Sequence, residues 1–285
     1  MAAFRKQRTI GREQVFCGIG IHSGQEVEMR LVPGEEGTGV VFRRMDLSGQ
    51  PVVPATIEYV SSTARGTNVG IGDVVVMTVE HVLAALRAFE IDNVCVELSN
   101  CEPPAGNGSS DIFVEMLDRA GVVEQSSEVP IAKICEPVWL EEGGVTIVGL
   151  PSDRYQVSYT LHYPKIEVLG TQHFCMDITQ ENFCEQVASC RTFALYDELN
   201  FLMDRGLIRG GSLENAVVIH DDAIVSKGGL YFKDEAVRHK VLDLIGDLSL
   251  VGIPFVGHII ALMSGHATNC LFAKKLYHHL SREKV

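Results

Sequence analysis

Residues 235–250 read EAVRHKVLDLIGDLSL and set Val237, Val241, Leu242, Leu244, Ile245 and Leu248 on one broad apolar stripe at helical period. The same period predicts helices over 79–88, 110–120, 180–189, 196–204 and 267–280. Alternating or short continuous apolar runs predict strands over 14–17, 26–31, 39–43, 93–98, 131–135, 138–140, 145–148, 156–161, 172–177, 216–220, 223–225 and 258–263. Strands and helices interleave along the whole chain, which is an α+β pattern.

Two stretches of this pattern occur twice. HSGQEVEMRLVP (22–33) and LEEGGVTIVGLP (140–151) each give a glycine-containing turn and a strand closing on proline. EHVLAALRAFEIDNVCVEL (80–98) and RHKVLDLIGDLSLVGIPFVGHIIAL (238–262) each give a histidine-bearing helix followed by an apolar strand. A duplicated α+β unit follows, with VVEQSSEVP (122–130) as the polar break between the copies. The expected division is 1–125 and 126–285, the second copy carrying an inserted βαβ-like segment around 196–232. That glycine-rich insertion alternates apolar runs with turns, which marks a functional excursion rather than a disordered loop.

Composition narrows the class. The 285 residues are 46% hydrophobic and 21% charged, enough for a sizeable core without staples. A net charge of −13, with no basic run longer than Lys274–Lys275, excludes nucleic acid as a principal partner. Eight cysteines with no C-x-x-C spacing read as reduced thiols. A polar N-terminus and the lack of any apolar run of about 18–20 residues argue against a secretory signal and a membrane span. The expectation is a cytoplasmic enzyme, monomeric in the absence of any signal for assembly.

The candidate chemistry begins on the 235–250 helix. His239 and Asp243 are four residues apart and so stack on one face, with Asp247 one turn further. On spacing alone such a pair is more often a hydrogen bond on a solvated face than a metal site. In TVEHVLAAL, Glu80 and His81 fall in the first turn of a helix that Thr78 could cap. The bland alternative there is a carboxylate complementing the helix dipole beside a surface histidine. In MSGHATN, His266 sits in a glycine-containing turn between a strand and a helix. Two histidines and an aspartate suffice for a tetrahedral zinc site with one position left for water. Glu80 could then serve as general base and His266 as general acid. Lys240, next to His239, is a local donor for an anionic substrate, and SCRTFAL offers Arg191, Thr192 and Phe193 as a donor and a ring. His22, His162, His173 and His220 have no acidic or histidine partner at ligand spacing and carry no expectation.

The motifs TVEHVLAAL, EIDNVCVEL, SCRTFAL, RGLIRGGSLENAVV, DEAVRHKVLDLIGDL and SGHATN, in this order and with GIGIHSG near the start, closely resemble the UDP-3-O-acyl-N-acetylglucosamine deacetylases. The resemblance covers nearly the whole chain. It implies the zinc amidase that commits the cell to lipid A, a lipopolysaccharide precursor. It also implies two similar domains, each a β-sheet with two α-helices, with the helical layers face to face in a β-α-α-β sandwich. By the same resemblance His81, His239 and Asp243 would ligate zinc, or ferrous iron, which that donor set also accepts. Glu80 would be the base, His266 the acid oriented by Asp247, and Thr192 a donor to the substrate carbonyl. Lys240 and Phe193 would meet the UDP-linked acylated glucosamine, and Leu207, Gly211, Ser212, Ala216 and Val218 would line a passage for its acyl chain. Two positions depart from the family pattern: Asn107 precedes Gly108-Ser109 where aspartate is usual, and Gly66 stands where some members have a cysteine near the metal. The remaining readings are a zinc amidase for another acylated amino sugar and a non-catalytic metal-binding scaffold.

Overall fold

The computed structural model describes residues 3–282. The first half builds β1 (Ala3–Ile10), β2 (Gln14–Ile19), β3 (Glu26–Pro33), β4 (Val40–Arg44), β5 (Val52–Pro54), a 3-10 turn, β6 (Val60–Ser62), β7 (Asn68–Ile71), β8 (Val74–Val76), α1 (Glu80–Ala88), β9 (Val94–Leu98), α2 (Asp111–Ala120) and β10 (Val122–Lys133). The second builds β11 (Val138–Glu142), β12 (Val145–Leu150), β13 (Tyr155–Tyr163), β14 (Gly170–Asp177), α3 (Gln180–Gln186), β15 (Phe193–Leu195), α4 (Tyr196–Asp204), β16 (Val217–His220), β17 (Ala223–Val225), α5 (Glu235–Ser249), β18 (Phe255–Leu262) and α6 (His266–Arg282). The protein is a mixed α+β structure of several sheets and six helices among the described residues.

One sheet runs β2-β3-β9-β4-β5, with β9 antiparallel to β3 and parallel to β4. In the largest sheet β18 is antiparallel to β12 and parallel to β13, with β11 and β14 pairing antiparallel outside them. The path β11-β12-β18-β13-β14 thus repeats the first sheet direction for direction. Helix α1 leads into β9 as α5 leads into β18, and the two helices pack against each other.

Eleven of the fifteen residues of α5 are buried, more than a helix with a solvated face can bury. Its neighbours β13, β14 and α6 cover what α1 does not. Contact between α1 and α5 is close because Gly246 has no side chain: a Cβ there would stand 2.0 Å from the carbonyl oxygen of Glu80. Ala84 and Ala85 on α1 are likewise small and fully buried.

Several elements differ from the sequence expectation. The polar stretch 122–130 lies within a strand, β10, whose ladder partner is β1. Both strands are polar because little of either is buried, so hydrophobic period is silent there; Arg5 and Arg8 of β1 instead pair with Asp92 and Glu90. β5 to β8 and β15, of three or four residues each, were not expected from the sequence, whereas β17, equally short, was. β15 and β16 are parallel across α4, and β17 returns antiparallel on β16.

Candidate active site

Helix α5 presents His239, Asp243 and Asp247 inward, all nearly fully buried, so the solvated-face reading of that pair does not hold. Helix α1 brings Glu80 and His81 to the same point, and His266 arrives as the first residue of α6. The Nε2 atoms of His81 and His239 lie 3.6 and 3.3 Å from Asp243 Oδ1, with the two rings perpendicular. Ligand atoms about 2 Å from a tetrahedral ion stand roughly 3.3 Å apart, so these spacings suit one.

The surrounding bonds fix which atoms are free to ligate. His239 Nδ1 faces the Cys190 carbonyl at 3.0 Å, which puts the proton on Nδ1 and the lone pair on Nε2. Burial pushes His239 down to about 4, the neutral form a metal requires. Lys240 Nζ donates to Asp243 Oδ2 at 2.8 Å. Burial works against ionised Asp243, but the imidazoles and the Lys240 ammonium outweigh it and hold the group well below the usual carboxylate range. Its Oδ1 is buried with no hydrogen-bond partner, an orphan acceptor between two imidazole nitrogens. That is the residue set a divalent cation fits.

Beside this trio, His266 Nε2 lies 3.8 Å from Glu80 Oε1. His266 Nδ1 bonds Asp247 Oδ2 at 3.0 Å, and Asn269 Nδ2 donates to the same oxygen at 2.8 Å. Burial disfavours the His266 cation, yet Asp247, Glu80 and Asp243 outweigh it and raise the ring to about 10. Burial raises Glu80, although the facing histidines oppose the shift. A protonated imidazole thus faces a carboxylate with high proton affinity across one cavity.

That cavity, of about 230 Å³, is bordered by Glu80, His81, His239, Asp243, Lys240 and His266, and also by Thr192, Phe193 and Ala216. Lys240 Nζ stands 5.5 Å from the Phe193 ring centroid. Leu207, Gly211, Ser212 and Val218 do not border it, and Gly211 and Ser212 are exposed. The apolar wall is instead Ile21, Leu202, Ile208 and Ala194.

Other residues at the site had no local signal. His22 is buried on the cavity wall, and its Nε2 meets the Arg65 carbonyl at 3.1 Å. Buried Glu102 accepts from the backbone of His22 and Ser23 and from Thr78 Oγ1. Thr78 therefore does not cap α1, and it sits at φ +52 two residues before Glu80. For a β-branched residue that is a strained conformation held by its surroundings. Asp234 likewise gives α5 no side-chain cap and binds Arg238 instead. Arg191 is no substrate donor: it is buried against Glu235, with Nε to Oε1 at 2.8 Å, and also bonds the carbonyls of Lys227 and Gly229.

No helix among the described residues is long and apolar enough to cross a membrane. A family profile described as UDP-3-O-acyl N-acetylglycosamine deacetylase matches residues 7–278. The chain is 51% identical over 272 residues to a UDP-3-O-acyl-N-acetylglucosamine deacetylase of Chlamydia caviae, covering 95% of this chain and 97% of that one. It is 51% identical to the protein of that name from Chlamydia felis, covering 97% and 98%, and 45% identical to that of Chlamydia trachomatis serovar L2, covering 98% of both. With the match running from β1 to α6, this chain belongs to the UDP-3-O-acyl N-acetylglycosamine deacetylase family.

Proposed function

We propose that this protein hydrolyses the N-acetyl group of a UDP-linked 3-O-acyl-N-acetylglucosamine, releasing acetate and a free amine in lipid A biosynthesis. The observation that carries the reading is the orphaned Asp243 Oδ1 between the Nε2 atoms of His81 and His239, with Glu80 and His266 facing each other beside it. His81, His239 and Asp243 would hold zinc, or ferrous iron, which when bound supplies Lewis-acid activation of water and of the amide carbonyl.

The chain's own groups account for the proton traffic. Glu80 Oε1 takes a proton from the attacking water as its oxygen bonds to the acetyl carbon. Thr192, on the cavity wall, donates to the oxygen where negative charge develops. The carbon–nitrogen bond then breaks, and His266 Nε2 protonates the departing sugar amine. Asp247 holds His266 through Nδ1, so the acidic Nε2–H points at the cavity rather than into the core. Lys240 spends one N–H on Asp243 and keeps others for the anionic substrate, with Phe193 beside it.

The fold reading that accompanies this function is two similar units, 1–125 and 126–285, in a β-α-α-β sandwich with the site at the junction of α1 and α5. The repeated strand order and the packing of those helices support it. The segment around 196–232 would accommodate the acyl chain, supported by Leu202, Ile208 and Ala216 on the cavity wall. The protein would act in the cytoplasm as a monomer. Acetate release from the UDP-linked substrate by zinc-loaded protein tests the function; no release, with zinc bound at one equivalent, would overturn it.

A further inference from the structure

Among the described residues, Thr67 is the one hydrogen-bonded to the carboxylates of both Glu80 and Asp247. It lies at the entrance to β7, next to Gly66, and is fully buried. Its backbone N–H donates to Glu80 Oε2 at 2.8 Å, and its carbonyl accepts the N–H of Val79, one residue before α1, at 3.0 Å. Its hydroxyl donates to Asp247 Oδ1 at 2.5 Å.

These bonds divide the oxygens of two carboxylates. On Glu80, Thr67 occupies Oε2 and leaves Oε1 facing His266. A Cβ on Gly66 would stand 3.1 Å from that same Oε1, so the glycine keeps its surroundings open. On Asp247, His266 and Asn269 both donate to Oδ2, and the Thr67 hydroxyl is the donor to Oδ1. Without it the carboxylate would rotate to share the two remaining donors, and the His266 ring would turn with it. Glu80 is on α1, Asp247 on α5 and His266 on α6. No local sequence relation sets their separation.

We propose that Thr67 is a positioning residue for the reaction, holding the Glu80 carboxylate and the Asp247–His266 pair in mutual register through its N–H and its hydroxyl. This rests on the assignment of Glu80 and His266 as base and acid given above. The hydroxyl acts on the Asp247–His266 pair and Thr67 does not border the cavity, so its loss falls on kcat and spares KM. Misplacement of a proton-transfer group by up to about 1 Å costs about 10- to 100-fold in rate.

The experiment compares Thr67→Val, which keeps shape and N–H but loses the hydroxyl, with Thr67→Ser, which restores the hydroxyl. Thr67→Val should lower kcat about 10- to 100-fold at unchanged zinc content with KM within about twofold, and Thr67→Ser should recover most of the rate. In a His266→Gln background the valine change should add less than about threefold, because the group it positions is gone. The imidazole N–H resonance of His266 in the metal-free protein should shift in the valine variant and return in the serine variant. If Thr67→Val does not fold, Thr67→Ala, which also lacks the hydroxyl, takes its place in both measurements. A valine variant with wild-type kcat, a loss shared equally by serine, or a loss seen only in KM each overturns the proposal. Failure of the underlying assignment looks different: Glu80→Gln and His266→Gln would themselves retain activity.

Discussion

Gly246 on α5 meets the backbone carbonyl of Glu80 on α1 so closely that any Cβ at position 246 would stand 2.0 Å from its oxygen. Asp247, the next residue, holds His266, and Asp243, three residues earlier, faces His81 and His239. This close approach of the two helices is therefore also where the site's groups converge.

Gly246→Ala should consequently damage stability and activity together. Relief requires α1 and α5 to separate in a packed interior, at a cost of about 1–3 kcal/mol. Melting temperature should fall and kcat should fall beyond the unfolded fraction. A variant that melts lower but retains full specific activity would show that the site tolerates the separation.

The buried Arg191–Glu235 pair anchors the segment between β15 and α5 to the start of that helix. Removing one partner leaves an uncompensated buried charge, so Arg191→Leu or Glu235→Leu should cost about 3–5 kcal/mol in urea unfolding. The double variant should recover part of this loss. Strictly additive losses would mean the pair is not the origin of the cost.

Zinc retention and turnover should separate by residue. His239→Ala and Asp243→Ala should lose stoichiometric zinc, measured on dialysed protein. Glu80→Gln and His266→Gln should keep it while losing about 10²- to 10⁴-fold in kcat. Wild-type turnover in either of the latter removes that residue from the chemistry.

In the metal-free protein His266 supplies a pH-dependent part of stability. Burial opposes its charge, but Asp247, Glu80 and Asp243 raise it to about 10, against roughly 6.5 for an unfolded histidine. A folded value above the unfolded one gives stability that is complete below about pH 6.5 and is lost as pH rises through about 10. The stability gap between metal-free wild type and His266→Gln should therefore shrink between pH 6.5 and 10. A gap constant over that window would place the ring's titration elsewhere.

Much of this was legible locally. The period of 235–250 determines a helix, and its four-residue spacing determines that His239, Asp243 and Asp247 share a face, because helix geometry is a short-range property. Glu80–His81 at a helix start and His266 at a strand–helix turn were visible in the same way. Polar β1 and the start of β10 were not, since what defines them is a ladder partner far along the chain.

Only the tertiary structure decided whether the face of α5 met water or α1, and it met α1 because Gly246 permits the approach. It also decided that His22, Glu102 and Thr67 join the site, from loops whose local sequence carries no catalytic pattern. Spacing along the chain constrains neighbours within a turn or a strand. Which buried carboxylate oxygen stays free, and which nitrogen faces it, depends on donors brought from distant elements. The sequence by itself determined which residue types could do the chemistry; packing determined which of their atoms are left to do it.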